Sequence, residues 1–254
     1  MPPIDRRRFL GRMAVAAAAA VAAGCDKLAD SKPMKSLLAA ADRPTDAALH
    51  GLTSETALAQ EFAEADISPV FKANGSINPQ TPEYLAMLAN GFADWRLRVA
   101  GLVDKPLALS LAELRAMPAR TQITRHDCVE GWSCIGKWKG VPLSHVLDLA
   151  GVRPEARYVL FRCADSLDHD ERRYYESVYV SEARHPQSIL AYELNDQVLD
   201  VPHGAPLRVR LERKLGYKQA KYLVGVELVA SLAGIGGGKG GYWEDEGYEW
   251  YGGI

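Results

Sequence analysis

Three cysteines, Cys128, Cys134 and Cys163, follow the cysteine at residue 25, and they are the residues whose chemistry is least ordinary in this chain. Either they are small buried apolar residues, or one is held as a thiolate by a metal, since coordination deprotonates a thiol outright. An oxidising compartment would pair exposed thiols, but an odd number leaves one over. There is no Cys-x-x-Cys and no His-x-x-x-His pair, so a metal held here would draw most of its ligands from another molecule. The cluster Asp168-His169-Asp170-Glu171 has the composition of a metal or acid/base site. It stands beside Arg172 and Arg173, however, and reads as a solvated loop, at most the rim of a site. A cysteine nucleophile at Cys128 with His126, His145 or His203 as base is a second enzyme class, but the sequence offers no evident oxyanion-hole turn. Arg208 and Lys221, taken singly, are ordinary surface cations.

The surroundings of Cys128 sharpen this reading. Arg125-His126-Asp127-Cys128-Val129-Glu130-Gly131-Trp132-Ser133, followed by Trp138-Lys139-Gly140-Val141-Pro142-Leu143, resembles the core motif of the sulfite oxidase-type molybdopterin oxidoreductases. The branch it resembles most is the bacterial periplasmic one that includes methionine-sulfoxide reductase catalytic subunits. A second block, His203-Gly204-Ala205-Pro206-Leu207-Arg208 and then Gly216-Tyr217-Lys218-Gln219-Ala220-Lys221, is similar to the pterin-binding segment of that family. With the stretch from Trp95 to Val103, the resemblance runs from about Asp66 to Val229.

The resemblance implies a molybdenum-molybdopterin cofactor with Cys128 as the single protein ligand to the metal. Arg125 would then be a catalytic residue pointing an oxyanion at the metal. Asn74, Cys163, His203, Arg208, Gln219, Ala220 and Lys221 would contact the pterin, the two basic residues answering its phosphate. His203 and Cys163 depart from the Asn and Thr of the reductase branch, and a thiol is a weak donor. Cys134 stands where that branch has Met and reads as packing. The implied activity is two-electron oxygen-atom transfer, with a small-molecule or peptidyl S- or N-oxide as substrate. Sulfite-type oxidation is the alternative, and the chain lacks the Cys-x-Gly-Asn-Arg pattern of sulfite-oxidising members at Cys128. A non-catalytic cofactor-binding lipoprotein is a third reading. No Cys-x-x-Cys-His haem motif is present, so electrons would be exchanged with a separate cytochrome-type partner, either membrane-embedded or a soluble c-type protein.

The elements that must position these residues read as α+β, with mostly short strands and few helices. A strand begins at Trp95. Ser110-Leu111-Ala112-Glu113 is a capping box opening a helix that ends by Pro118. Thr121 to His126 is a strand delivering Cys128, and Pro142 and Gly151 bracket a helix. Strands are then predicted at 157–163, 174–180, 188–194, 206–211 and 222–229. The tail from Gly234 is rich in glycine yet carries Tyr242, Trp243, Tyr248, Trp250 and Tyr251, which predicts a segment packed across the domain.

The N-terminus, Asp5-Arg6-Arg7-Arg8-Phe9-Leu10 and then an uncharged Ala/Val run to Gly24, has the form of a twin-arginine-type signal. Its apolar run is too short to span a bilayer. Ala22-Ala23-Gly24-Cys25 resembles a lipoprotein box, so Cys25 becomes a lipid anchor or cleavage nearby releases a soluble protein. The expected layout is a signal over 1–24, a tether over 25–65 and the molybdopterin domain over 66–254, with a periplasmic location. Residues 1–24 hold four Arg and one Asp, so the chain without them carries 26 basic and 31 acidic residues, a net charge of −5. That balance, with no basic stripe, argues against a nucleic-acid partner.

Overall fold

The structure, a computed structural model, describes residues 56–167 and 172–254. The leader, Cys25 and the Asp168–Glu171 cluster lie outside the described residues. In chain order the elements are α1 (Pro82–Ala89), β1 (Leu97–Gly101), β2 (Leu107–Leu109), α2 (Leu111–Ala116), β3 (Arg120–Asp127), β4 (Ser133–Pro142), α3 (Leu143–Ala150) and β5 (Tyr158–Cys163). They continue with β6 (Tyr175–Tyr179), α4 (Val180–Ala183), β7 (Ile189–Leu194), β8 (Gln197–Val198), β9 (Arg208–Arg210), β10 (Leu223–Val229) and α5 (Tyr242–Asp245). Among the described residues no helix is long and apolar enough to cross a membrane.

The strands form two five-stranded sheets. One runs β2-β1-β10-β5-β6, with β1 parallel to β10 and its other pairs antiparallel. The other runs β3-β4-β7-β8, with β9 also pairing β7, all antiparallel. One core joins the two: Leu97, Val99, Phe161 and Val226 from the first sheet meet Val141, Leu190 and Val209 from the second. Helix α3 closes part of it with Leu143, Val146, Leu147 and Ala150, an i, i+3, i+4, i+7 stripe, and stops where Gly151 takes the left-handed conformation at φ 68°. The capping box of α2 is present as predicted, the Ser110 hydroxyl accepting from Glu113 N–H and the Glu113 carboxylate from Ser110 N–H.

Three elements differ from the sequence reading. Residues 133–142, read there only as motif, are the longest strand, alternating Cys134, Gly136, Trp138 and Gly140 toward the interior. Two glycines in that alternation disguise it. Helix α1 went unpredicted, although Thr81 caps it and Pro82 occupies its first turn. Residues assigned to the tether also bind the domain: Phe62 N–H donates to Ile123 O, and the Gln187 side chain clasps both the N–H and the carbonyl of Ala59.

Candidate functional site

Cys128 opens the five-residue loop between β3 and β4, held by Cys128 N–H to Trp132 O and Gly131 N–H to Cys128 O, each 3.0 Å, with Gly131 at φ 83°. All three described cysteines are free and buried. Burial, with the nearby Glu130 carboxylate, pushes the Cys128 thiol up, while the N–H groups of Glu130 and Val129 and the Lys72 ammonium oppose that rise. Left to itself the sulfur is a thiol; a bound cation would make it a thiolate.

Cys128 faces a cavity of about 160 Å³. The segment Asn74-Gly75-Ser76 forms one wall, Asp165 and Leu167 beyond β5 another, and Gly216, Tyr217, Gln219 and Lys221 a third. Val129 and Glu130 stand beside the sulfur, while Tyr174, Trp243 and Tyr248 add aromatic surface. The indole of Trp243 stacks on Tyr248 at 5.1 Å, and Tyr174 O–H donates to Tyr217 O at 2.5 Å. Among the described residues no three His, Cys, Asp or Glu side chains converge as metal ligands.

Behind the cavity is a concentration of buried cations. Lys221 donates to the carbonyls of Asn74, Ser76 and Pro202 at 2.7, 2.5 and 2.9 Å, and burial with the Arg208 charge lowers its ammonium to about 7. Arg208 donates to His203 O and Gln219 O at 3.0 and 3.2 Å, leaving its Nε without a partner. Burial and Arg210 lower Arg208 to about 9. Asp165 is the acidic counterpart, raised by burial to about 7 even though Lys221 opposes that rise, with one carboxylate oxygen unpartnered.

The remaining expected residues are distributed less simply. Asn74, Gln219 and Lys221 wall the cavity with Cys128. The Gln219 amide itself is committed elsewhere, bonding Leu211 N–H and the carbonyls of Leu211 and Lys214, so only the backbone of that residue is available. Ala220 is buried next to it, its carbonyl receiving Val209 N–H. His203 is turned from the cavity: Nδ1 lies 2.6 Å from Asp200 and Nε2 2.9 Å from Phe71 O. Cys163 is buried in the core at the end of β5, its thiol pushed up by burial, and does not reach the cavity wall.

Arg125, expected beside the metal, is not among the cavity walls. β3 turns Gln122, Thr124 and His126 inward, so Arg125 projects outward, where its Nε pairs with Asp127 at 2.9 Å. Cys134 packs as expected, among Phe71, Trp138 and Leu194. The sequence reading missed Asp165, Tyr174, Trp243 and Tyr248 as cavity walls. The aromatic residues of the tail carried a signal for packing but none for location.

A buried cysteine at a cleft backed by crowded cations can supply one thiolate to the metal of an anionic cofactor. The family described as oxidoreductase molybdopterin binding domain matches residues 85–233, and this chain belongs to it. It is similar to the Azospira oryzae protein named as a protein-methionine-sulfoxide reductase subunit, YedZ1, at 37% identity over 98% of this chain and 87% of that one. The protein-methionine-sulfoxide reductase catalytic subunit MsrP of Xanthomonas campestris is 32% identical over 90% of this chain and 71% of its own. In fold, the chain resembles the sulfane dehydrogenase SoxCD of Paracoccus pantotrophus, with a TM-score of 0.50 and 24% identity, covering 54% of this chain and 39% of that one.

The chain is therefore a molybdopterin-dependent oxidoreductase, and its residues fit the cofactor. Three buried polar atoms lack partners around the cleft, His126 Nε2, Arg208 Nε and one oxygen of Asp165, and two mutually repelling cations would be relieved by an anion.

Proposed function

We propose that this enzyme reduces an S- or N-oxide, foremost a sulfoxide on a small molecule or on a methionine of a protein, taking electrons from a separate cytochrome-type donor. The balance is sulfoxide plus two electrons and two protons giving thioether and water. The observation that carries the reading is the character of the wall beside Cys128. The cavity that Cys128 shares is lined by Val129, Leu167, Tyr174, Trp243 and Tyr248 together with Glu130, Asp165 and Lys221, and Arg125 is not among its walls. An aromatic and apolar lining of this kind suits a neutral, polarizable sulfoxide. Kinship with YedZ1 over nearly the whole chain supports the same substrate class.

When bound, the molybdenum-molybdopterin group would supply the two-electron redox chemistry. Cys128 would ligate the metal, and Arg208 and Lys221 would hold the anionic end of the cofactor. Trp243 and Tyr248 hold the substrate and exclude water. Asp165, raised to about 7, keeps a proton on the cavity wall close to neutral pH. Before this chemistry, the twin-arginine-type leader exports the domain already folded around its cofactor to the periplasm, where Cys25 tethers it by lipid near a membrane donor.

Purified holoenzyme reduced by a viologen dye tests the reaction. Methionine sulfoxide is expected to reoxidise it faster than nitrate does, and Cys128→Ala is expected to show no turnover. Sulfite-driven reduction of cytochrome c without oxide turnover overturns the reading. Fractionation of cells carrying Arg7→Lys with Arg8→Lys tests export, the variant being expected in the cytoplasm; Cys25→Ser is expected to release the enzyme from the membrane fraction.

A further inference from the structure

The inner face of β3 is polar, with Gln122, Thr124 and His126 all buried. His126 is 0% exposed, and its Nδ1 lies 2.9 Å from Nη1 of Arg210. A guanidinium can only donate, so Nδ1 accepts and the proton of the neutral ring sits on Nε2. Arg210 is not free to turn away. Its Nε and Nη2 bind Glu212 at 3.1 and 2.6 Å, and Gln122 donates to the same carboxylate at 2.7 Å. With Nδ1 occupied as an acceptor from Arg210, the ring carries a single proton and is neutral.

Nε2–H is therefore a donor fixed in place, and it has no partner. Facing it are Gly216 and Asn74, both walls of the Cys128 cavity. A Cβ on Gly216 would lie 2.8 Å from His126 Nε2 and 3.3 Å from Asn74 Nδ2. The absent side chain at Gly216 thus lets His126 Nε2 pack directly against this wall of the cavity, out of contact with solvent. A buried donor left unpaired is unfavourable, so an acceptor that the cofactor brings against this wall gains more than an exposed hydrogen bond would give.

We propose that His126 donates its Nε2–H to an oxygen, nitrogen or sulfur acceptor of the molybdopterin, beside the Asn74 amide, and that the Arg210–Glu212 pair fixes the tautomer this contact requires. Arg210 is then a positioning residue acting through His126. The contact concerns the cofactor and holds whichever oxide is reduced.

His126→Met and His126→Gln, each produced with and without cofactor, test it; Gln can accept from Arg210 through Oε1 and donate through Nε2. The readouts are molybdenum and pterin retained on dialysis, and the rise in Tm on cofactor loading. His126→Met is expected to lose cofactor about tenfold faster, the worth of one hydrogen bond, and to show a smaller loading increment. His126→Gln is expected to restore both. Equal destabilisation of loaded and unloaded His126→Met, or wild-type retention by it, overturns the proposal. Should His126→Met not fold, 15N-histidine-labelled wild-type protein decides. The Nε2-protonated tautomer is expected in both forms, with its proton shifting downfield on loading. An Nδ1-protonated ring, or a proton unmoved by the cofactor, overturns it.

Discussion

Asp165 and Lys221 share a cavity and have opposite charges, yet burial outweighs their attraction and brings both to about 7. The consequences for stability have opposite signs. Asp165 binds its proton more tightly folded than unfolded, so the stability it contributes is present below its unfolded pKa of about 4 and is lost as pH rises toward 7. Lys221 binds its proton less tightly folded, so its penalty is full below 7 and fades between 7 and its unfolded pKa of about 10.4. Together they place a minimum in the Tm of the cofactor-free protein near pH 7. Thermal unfolding across pH 4–10 is expected to show it, with Asp165→Asn flattening the acid limb and Lys221→Met the alkaline one. A wild-type Tm that parallels Asp165→Asn from pH 4 to 7 would refute the assignment. Molybdopterin, bringing negative charge to Lys221, is expected to fill the minimum in the holoprotein. At this scale residue type and neighbours singled out Cys128 and Lys221, which the fold brings to one cavity. The sequence was uninformative where rotamer decides: nothing in the one-dimensional pattern says that His203 bonds Phe71 O instead of facing the cleft, or that the Gln219 amide closes its own loop.

The element that sets the position of Cys128 is the β3–β4 hairpin, and it is anchored through β4 on β7. Gly140 is where that anchoring is tightest, at the register shift between Lys139 and Gly140. A Cβ there would press on Leu190 O and lie 2.6 Å from Ala191 Cα, both backbone atoms that cannot yield without opening the ladder. Gly140→Ala is therefore expected to cost about 2–4 kcal/mol, seen as a lower urea midpoint, and to loosen the loop carrying Cys128 enough to reduce molybdenum content. Unchanged midpoint and metal content would show that the β4–β7 contact does not hold the site. Strands with apolar runs, such as β5 and β10, were legible because both faces are largely buried. β4 was not, since its inward positions include two glycines and its outward ones two lysines. Arg125 illustrates a related limit of pattern: the family resemblance implied a role at the metal, while the alternation of β3 turns that side chain outward.

On the scale of the molecule, the C-terminal tail is a working wall of the site and is attached from within. Lys218, on the turn that lines the cavity, donates to Glu176 at 2.5 Å and to Glu244 of α5 at 2.7 Å, and all three side chains are at most 1% exposed. Burial and the neighbouring Glu244 carboxylate push Glu176 above the usual carboxylate range, while the Lys218 ammonium opposes that rise, so the three groups form one buried charged cluster. Breaking such a cluster on one side strands a charge in the core and costs about 3–5 kcal/mol, whereas neutralising all its members together costs much less. Lys218→Met is therefore expected to lower stability by that amount and to detach α5, taking Trp243 and Tyr248 off the cavity. Limited proteolysis should cut between Gly234 and Gly241, and KM for a sulfoxide should rise more than kcat falls. The triple variant Lys218→Met, Glu176→Gln, Glu244→Gln is expected to recover most of the stability and the protease resistance. A destabilised Lys218→Met whose tail remains uncut would mean that the tail is held by its other hydrogen bonds, Tyr217 O–H on Glu249 O and Lys214 on Tyr251 O, with the Lys218 cluster contributing only to the core.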